Sequence, residues 1–137
     1  MDSMVEIYFD RANNELLAAE SLKRLSEDSN EKEEFNIPQK TTFYSSVISH
    51  SYYSIFYAAK AILLTKGVKT GILDMKLIKI YKQMAIRAND LLEIFRESKS
   101  KRGMFTYKTI PQANIEPADE SIKHARTFLA HIGKVLR

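Results

Sequence analysis

The densest cluster of cationic side chains in this 137-residue sequence lies in the run KSKRGMFTYKTIP, residues 99–111. Lys99, Lys101, Arg102 and Lys108 are interleaved there with Phe105 and Tyr107. Such a set suits an anionic partner, because cations that neutralise phosphates release condensed counterions. Aromatic rings between them can stack on bases. A plainer reading is equally open at this level: cations collect behind a helix C-terminus, where the dipole favours them and solvent is near.

Three histidines are the remaining candidates for proton chemistry. His50 sits between Ser49 and Ser51, and two roles are open to it. It is either a hydrogen-bonded packing residue or a general base, the latter if it faces the same cleft as Arg102. Arg126 and His131 repeat the gap of four residues between Arg102 and Tyr107. On one helix, however, five steps turn the side chain by about 140°, so the pair diverges and reads as coincidence. His124 reads as a surface histidine. Tyr52, Tyr53, Phe56 and Tyr57 are expected in the core or at a dimer interface, with hydroxyls satisfied at the edge.

Other chemistry is not indicated. With no cysteine, disulfides, thiolate zinc sites and thiol catalysis are excluded together, which fits a reducing cytoplasm. There is no glycine-rich phosphate loop and no HExxH, and Glu31, Glu33 and Glu34 read as a solvated run. Neither a metal nor a cofactor is expected. The N-terminus MDSMVEIYFD is acidic and amphipathic, unlike a signal peptide. No stretch approaches about 18 continuous apolar residues, so no membrane span is expected. A net charge of +4 leans only weakly toward nucleic acid.

The elements that must position these residues are helical. Pro38, Pro111, Pro117, Gly67, Gly71 and Gly103 fall between periodic segments, which marks helix boundaries. A first helix is predicted over about Ser3–Ser26, with Val5, Tyr8, Ala12, Leu16, Ala19, Leu22 and Leu25 inward. Residues 27–40 read as a polar loop. A second helix over about Thr41–Lys66 carries two adjacent apolar stripes and is therefore central; Gly67 suits its C-cap. A third helical region covers about Leu73–Ser98. The last helix starts near Pro117, with Ile122, Ala125, Phe128, Leu129, Ile132 and Leu136 inward. No segment alternates as a strand does. One all-α domain over residues 1–137 is predicted, an antiparallel bundle of four or five helices.

Within that pattern the run VISHSYYSIFYAAKAILLTKGV, residues 47–68, resembles the signature helix of the HEPN domain family, especially its small stand-alone archaeal and bacterial members. The matching positions are Ser49, His50, Ser51, Tyr52, Tyr53, Ser54, Phe56, Ala58, Ala59, Lys60, Leu63, Leu64 and Gly67. The Asn13–Asn14–Glu15–Leu16 run looks like the family's opening helix, and Lys101–Tyr107 before a proline-started last helix looks like its ending. The resemblance implies an α-helical bundle that dimerises. It also implies nucleotide or RNA binding, and in many members a metal-independent ribonuclease acting as a toxin beside a nucleotidyltransferase antitoxin. The nuclease members carry an Arg followed four to six residues later by a His. Here Arg102 is present and Tyr107 stands where the His would be. A phenol with an ordinary pKa of about 10 does not exchange protons readily near neutrality, although it still donates to phosphate or stacks on a base. The expectation is a binding module, with Lys99, Lys101, Arg102 and Lys108 on the nucleic acid. A ribonuclease using Arg102 with Tyr107 or His50 is the alternative, and a purely structural interaction domain the third.

Overall fold

The computed structural model describes residues 3–65 and 115–136. Among these, four helices occur and no strand: α1 (Ser3–Glu27), α2 (Ser29–Glu34), α3 (Tyr44–Thr65) and α4 (Ile115–Leu136).

α1 is buried along a narrow seam. Val5, Ala12, Ala19 and Ser26 are its buried residues, each seven positions from the next. Phe9, Leu16 and Leu22 pack half-buried between them against the core. The step of about seven residues is the coiled-coil period, and small side chains at three of the four seam positions let α1 approach its neighbours closely. α3 is buried far more widely, from Val47 to Leu63, because α1 and α4 cover different sides of it.

Side-chain partners set the helix directions. Ser54 bonds to Ala12, His50 meets Glu15, and Tyr44 reaches Glu27, so α3 runs antiparallel to α1. Lys23 pairs with Asp119 and Arg126 with Glu20, so α4 also runs antiparallel to α1. α3 and α4 are therefore parallel to each other. Their shared core has two parts. Ala19, Val47, Ile48, Ala118 and Ile122 form the end where α3 and α4 begin. Ile55, Ile62, Leu63, Phe128, Leu129 and Ile132 form the larger part along their later turns.

Helix limits agree with the sequence pattern to within a few residues: α3 begins at Tyr44 rather than Thr41, and α4 at Ile115, ahead of Pro117. Residues 27–40 are a correction, because this stretch holds α2 rather than an uninterrupted loop. Asp28 is its N-cap, accepting from the amides of Asn30 and Glu31 at 3.0 Å each. At the other end Asn36 takes the left-handed conformation, φ 58°. The amide of Ile37 then bonds to the carbonyl of Lys32, and that of Asn36 to Glu33, the pair of bonds that closes a helix of this kind. Lys32 is buried, its ammonium donating to the Gln39 carbonyl at 2.7 Å. The predicted helix over 73–98 and the Gly67 cap lie outside the described residues.

Candidate nucleic-acid interface

His50 projects from the α1-facing side of α3 and meets Glu15 of α1, Nδ1 to Oε2 at 2.5 Å. The two side chains are 36% and 21% exposed. An ionised carboxylate can only accept a hydrogen bond, so the proton of this contact lies on Nδ1. With that proton on Nδ1, a neutral imidazole carries its lone pair on Nε2. A carboxylate that fixes the tautomer and orientation of a histidine is the second half of a base–orienter arrangement. The same contact also serves packing, because it satisfies a polar ring in a tight helical seam. One turn further along α1 lies the buried bond from Ser54 Oγ to the Ala12 carbonyl, 2.8 Å, which holds the two helices in register.

Beyond that bond the seam becomes aromatic and cationic. Tyr8 of α1 and Tyr57 of α3 lie nearly parallel, 17° apart with centroids separated by 6.2 Å. The Arg11 guanidinium stands 4.6 Å over the Tyr57 ring. Lys60 Nζ lies 5.4 Å from the Tyr8 centroid and 4.9 Å from that of Phe56. Phe56 and Tyr57 meet edge to face at 5.5 Å. Positions 8 and 11, and 57 and 60, are each three apart and so share a helix face.

The opposite side of α1 is built differently. A groove of about 360 Å³ between α1 and α4 is lined by Leu17, Lys23, Arg24, Glu27 and Arg126 among others. Its cations are held by carboxylates: Lys23 by Glu27 and Asp119, Arg24 by Glu31, and Arg126 by Glu20. Glu27 also accepts from the Tyr44 hydroxyl at 3.0 Å. The hydrogen bond to Glu27, seconded by that to Asp119, raises the Lys23 ammonium above its ordinary 10.5. Burial, then the bond to Glu27, raises the Tyr44 phenol above 10.0.

The residues singled out in the sequence fall into three groups. Tyr52 is in the core, and Tyr53, Phe56 and Tyr57 are half-buried beside it. His50 faces α1. Arg102, Tyr107, Lys99, Lys101 and Lys108 lie outside the described residues. Arg126 is engaged with Glu20. His124 is more covered than a surface histidine, with 15% of its side chain exposed. Glu15 and Arg11 were not singled out, and Tyr8 only as an inward residue, although Tyr8 and Glu15 are seven residues apart on α1 just as His50 and Tyr57 are on α3. Pairing the two rows required the antiparallel register of the helices. Among the described residues, no group of three His, Asp or Glu side chains is placed to hold a metal ion, and no helix is long and apolar enough to cross a membrane.

No curated protein and no solved structure matches this chain. The family model of the HEPN domain matches residues 5–135, from the first buried turn of α1 to the last turn of α4, and on that match over nearly the whole chain the protein belongs to the HEPN domain family.

Proposed function

We propose that this protein is an RNA- or nucleotide-binding HEPN module that acts as a homodimer in the cytoplasm, without cofactor or metal. Membership of the family over residues 5–135 is the observation that carries the reading. The basic run with Lys99, Lys101, Arg102 and Lys108 supplies the charge that phosphates require. A nucleotidyltransferase is the protein partner the reading implies, in a toxin–antitoxin pair where this chain is the HEPN half. The test is binding of single-stranded RNA across a salt series. Affinity should fall with salt, and Arg102→Ala should flatten the log–log slope by about 0.7, the share of one phosphate contact on a single strand. Binding that is absent, or indifferent to salt, overturns the reading. Sedimentation of the free protein as a monomer at micromolar concentration overturns the homodimer.

One observation favours a second reading, that of a metal-independent ribonuclease. Glu15 holds His50 by Nδ1, which leaves Nε2 able to take a proton from an RNA 2′-hydroxyl. The 2′-oxygen then attacks the adjacent phosphorus while Arg102 holds the phosphate. The bond from phosphorus to O5′ breaks, and O5′ takes its proton from the imidazolium or from Tyr107. The products are a 2′,3′-cyclic phosphate and a 5′-hydroxyl. Cleavage in EDTA, abolished by Arg102→Ala and lowered about 10²–10⁴-fold by His50→Gln, is the expected signature. Salt-sensitive binding without cleavage supports the module instead.

A further inference from the structure

Charges along the α1–α3 seam differ from those of the α1–α4 groove. Lys23, Arg24 and Arg126 are each neutralised by a neighbouring carboxylate. Arg11 and Lys60 meet no carboxylate within ion-pair distance among the described residues; each meets aromatic rings instead. A ring beneath a guanidinium occupies its face and leaves its N–H edges available to an anion. The same ring strips water from one side of the cation, so less hydration is lost when phosphate arrives. Tyr8 and Tyr57 lie within 17° of parallel, with Arg11 over one ring and Lys60 beside the other. Both rings are half-buried, and Arg11 is exposed.

We propose that Tyr8, Arg11, Tyr57 and Lys60 form a track for single-stranded RNA, with bases on the Tyr8–Tyr57 platform and phosphates on Arg11 and Lys60. The proposal rests on the RNA-binding reading above and assigns it a surface separate from the 99–108 run. Uncompensated cations interleaved with aromatic rings are what a single strand needs, since each nucleotide offers one charge and one π-face. A groove whose cations are already paired offers neither. The track also has a direction. Tyr57 and His50 are seven residues apart on α3, about 10 Å along the axis, so a strand laid on the platform continues along the seam toward the Glu15–His50 pair. In this arrangement Arg11 and Lys60 hold the backbone and do not take part in any bond change.

The test uses the full chain and a fluorescein-labelled single-stranded uridine oligonucleotide, with anisotropy read between about 50 and 200 mM salt. The double variant Arg11→Gln/Lys60→Gln should bind more weakly, with a log–log salt slope flatter by about 1.4, two contacts at about 0.7 each. Tyr57→Leu should lose roughly tenfold in affinity with its salt slope unchanged, because stacking carries no counterion release. Lys123→Gln, an exposed cation on α4, should bind as the parent does. Thermal melting by circular dichroism establishes that each variant folds. If Tyr57→Leu does not fold, the double variant decides, because it changes an exposed and a half-buried polar side chain and leaves the apolar core untouched. A double variant with the parent's affinity and slope, beside an Arg102→Ala that binds weakly, overturns the track and leaves RNA binding standing. No RNA binding by the parent protein overturns both. A double variant that changes oligomeric state with RNA affinity intact shows the strip to be a protein interface, which also overturns the track.

Discussion

At the scale of single residues, the seam between α1 and α3 is ordered by a few polar atoms in an apolar surface. Ser54 and Ser51 lie one turn apart on α3 and are both fully buried, yet their hydroxyls fare differently. Ser54 Oγ donates to the Ala12 carbonyl at 2.8 Å, whereas Ser51 Oγ has no hydrogen-bond partner among the described residues. A hydrogen bond made contributes about 1 kcal/mol, and a buried polar atom left unmade costs about 1–3 kcal/mol. Ser54→Ala should therefore destabilise by about 1 kcal/mol, and Ser51→Ala should be neutral or stabilising. Chemical denaturation of the two variants beside the parent separates them. Equal losses would mean that both sites respond to side-chain volume and not to hydrogen bonding. Ser26 plays a related part, donating to the Leu22 carbonyl and accepting from the Phe43 amide, each at 2.7 Å. It thereby ties the end of α1 to the approach to α3.

At the scale of elements, the short α2 shows how local chemistry can build structure in a polar stretch. Asp28 caps its amides and Asn36 closes its carbonyls in the left-handed region. Asp28→Ala removes an acceptor for two amides and should cost about 1 kcal/mol. Loss of helical signal in 28–36 by amide exchange, with α1 and α3 protected as before, is the expected outcome. The α1–α4 contact makes a second prediction. Gly133 is buried in α4, and a Cβ built there would meet Phe9 Cζ at 3.4 Å, an ordinary contact. Glycine inside a helix costs about 1 kcal/mol relative to alanine. Gly133→Ala should raise the melting temperature by a few degrees, whereas the branched Gly133→Val should lower it by crowding Phe9. A fall with alanine would show that α1 and α4 have no room to move apart.

At the scale of the whole molecule, Glu27 links α1, α3 and α4 through one carboxylate and its neighbours. It accepts from Lys23 and Tyr44, and Lys23 also reaches Asp119. Both Lys23 and Tyr44 are raised in the folded state from 10.5 and 10.0. The native state thus binds these two protons more tightly than the unfolded chain does. Their contribution is fully present below about pH 10 and is lost as pH rises through the folded values. Glu27→Gln removes the charge that both protons face, so its stability should decline less steeply than the parent's as the pH rises above about 10. Thermal melts across that range measure the difference, and parallel declines would remove Glu27 as the link.

Much of this architecture was legible in the sequence because helix burial follows a period that side-chain types reveal directly. The double stripe of α3 identified the central helix, since only an element covered from two sides needs so wide an apolar face. Residues 27–40 were less legible. Asp28 with Glu31, and Asn36 before Pro38, are helix start and stop signals, but composition outweighs them when six residues carry no apolar stripe. The chain by itself determined the helical class, the central place of α3 and the resemblance to the HEPN family carried by residues 47–68. Tertiary structure alone decided that Glu15 meets His50, that Arg11 and Lys60 meet rings and, among the described residues, no carboxylate, and that Arg126 is taken up by Glu20. The physical reason is distance along the chain. Periodicity reports which face of a helix is buried, but these contacts join residues 35 and 106 positions apart, and their register exists only once the helices have packed.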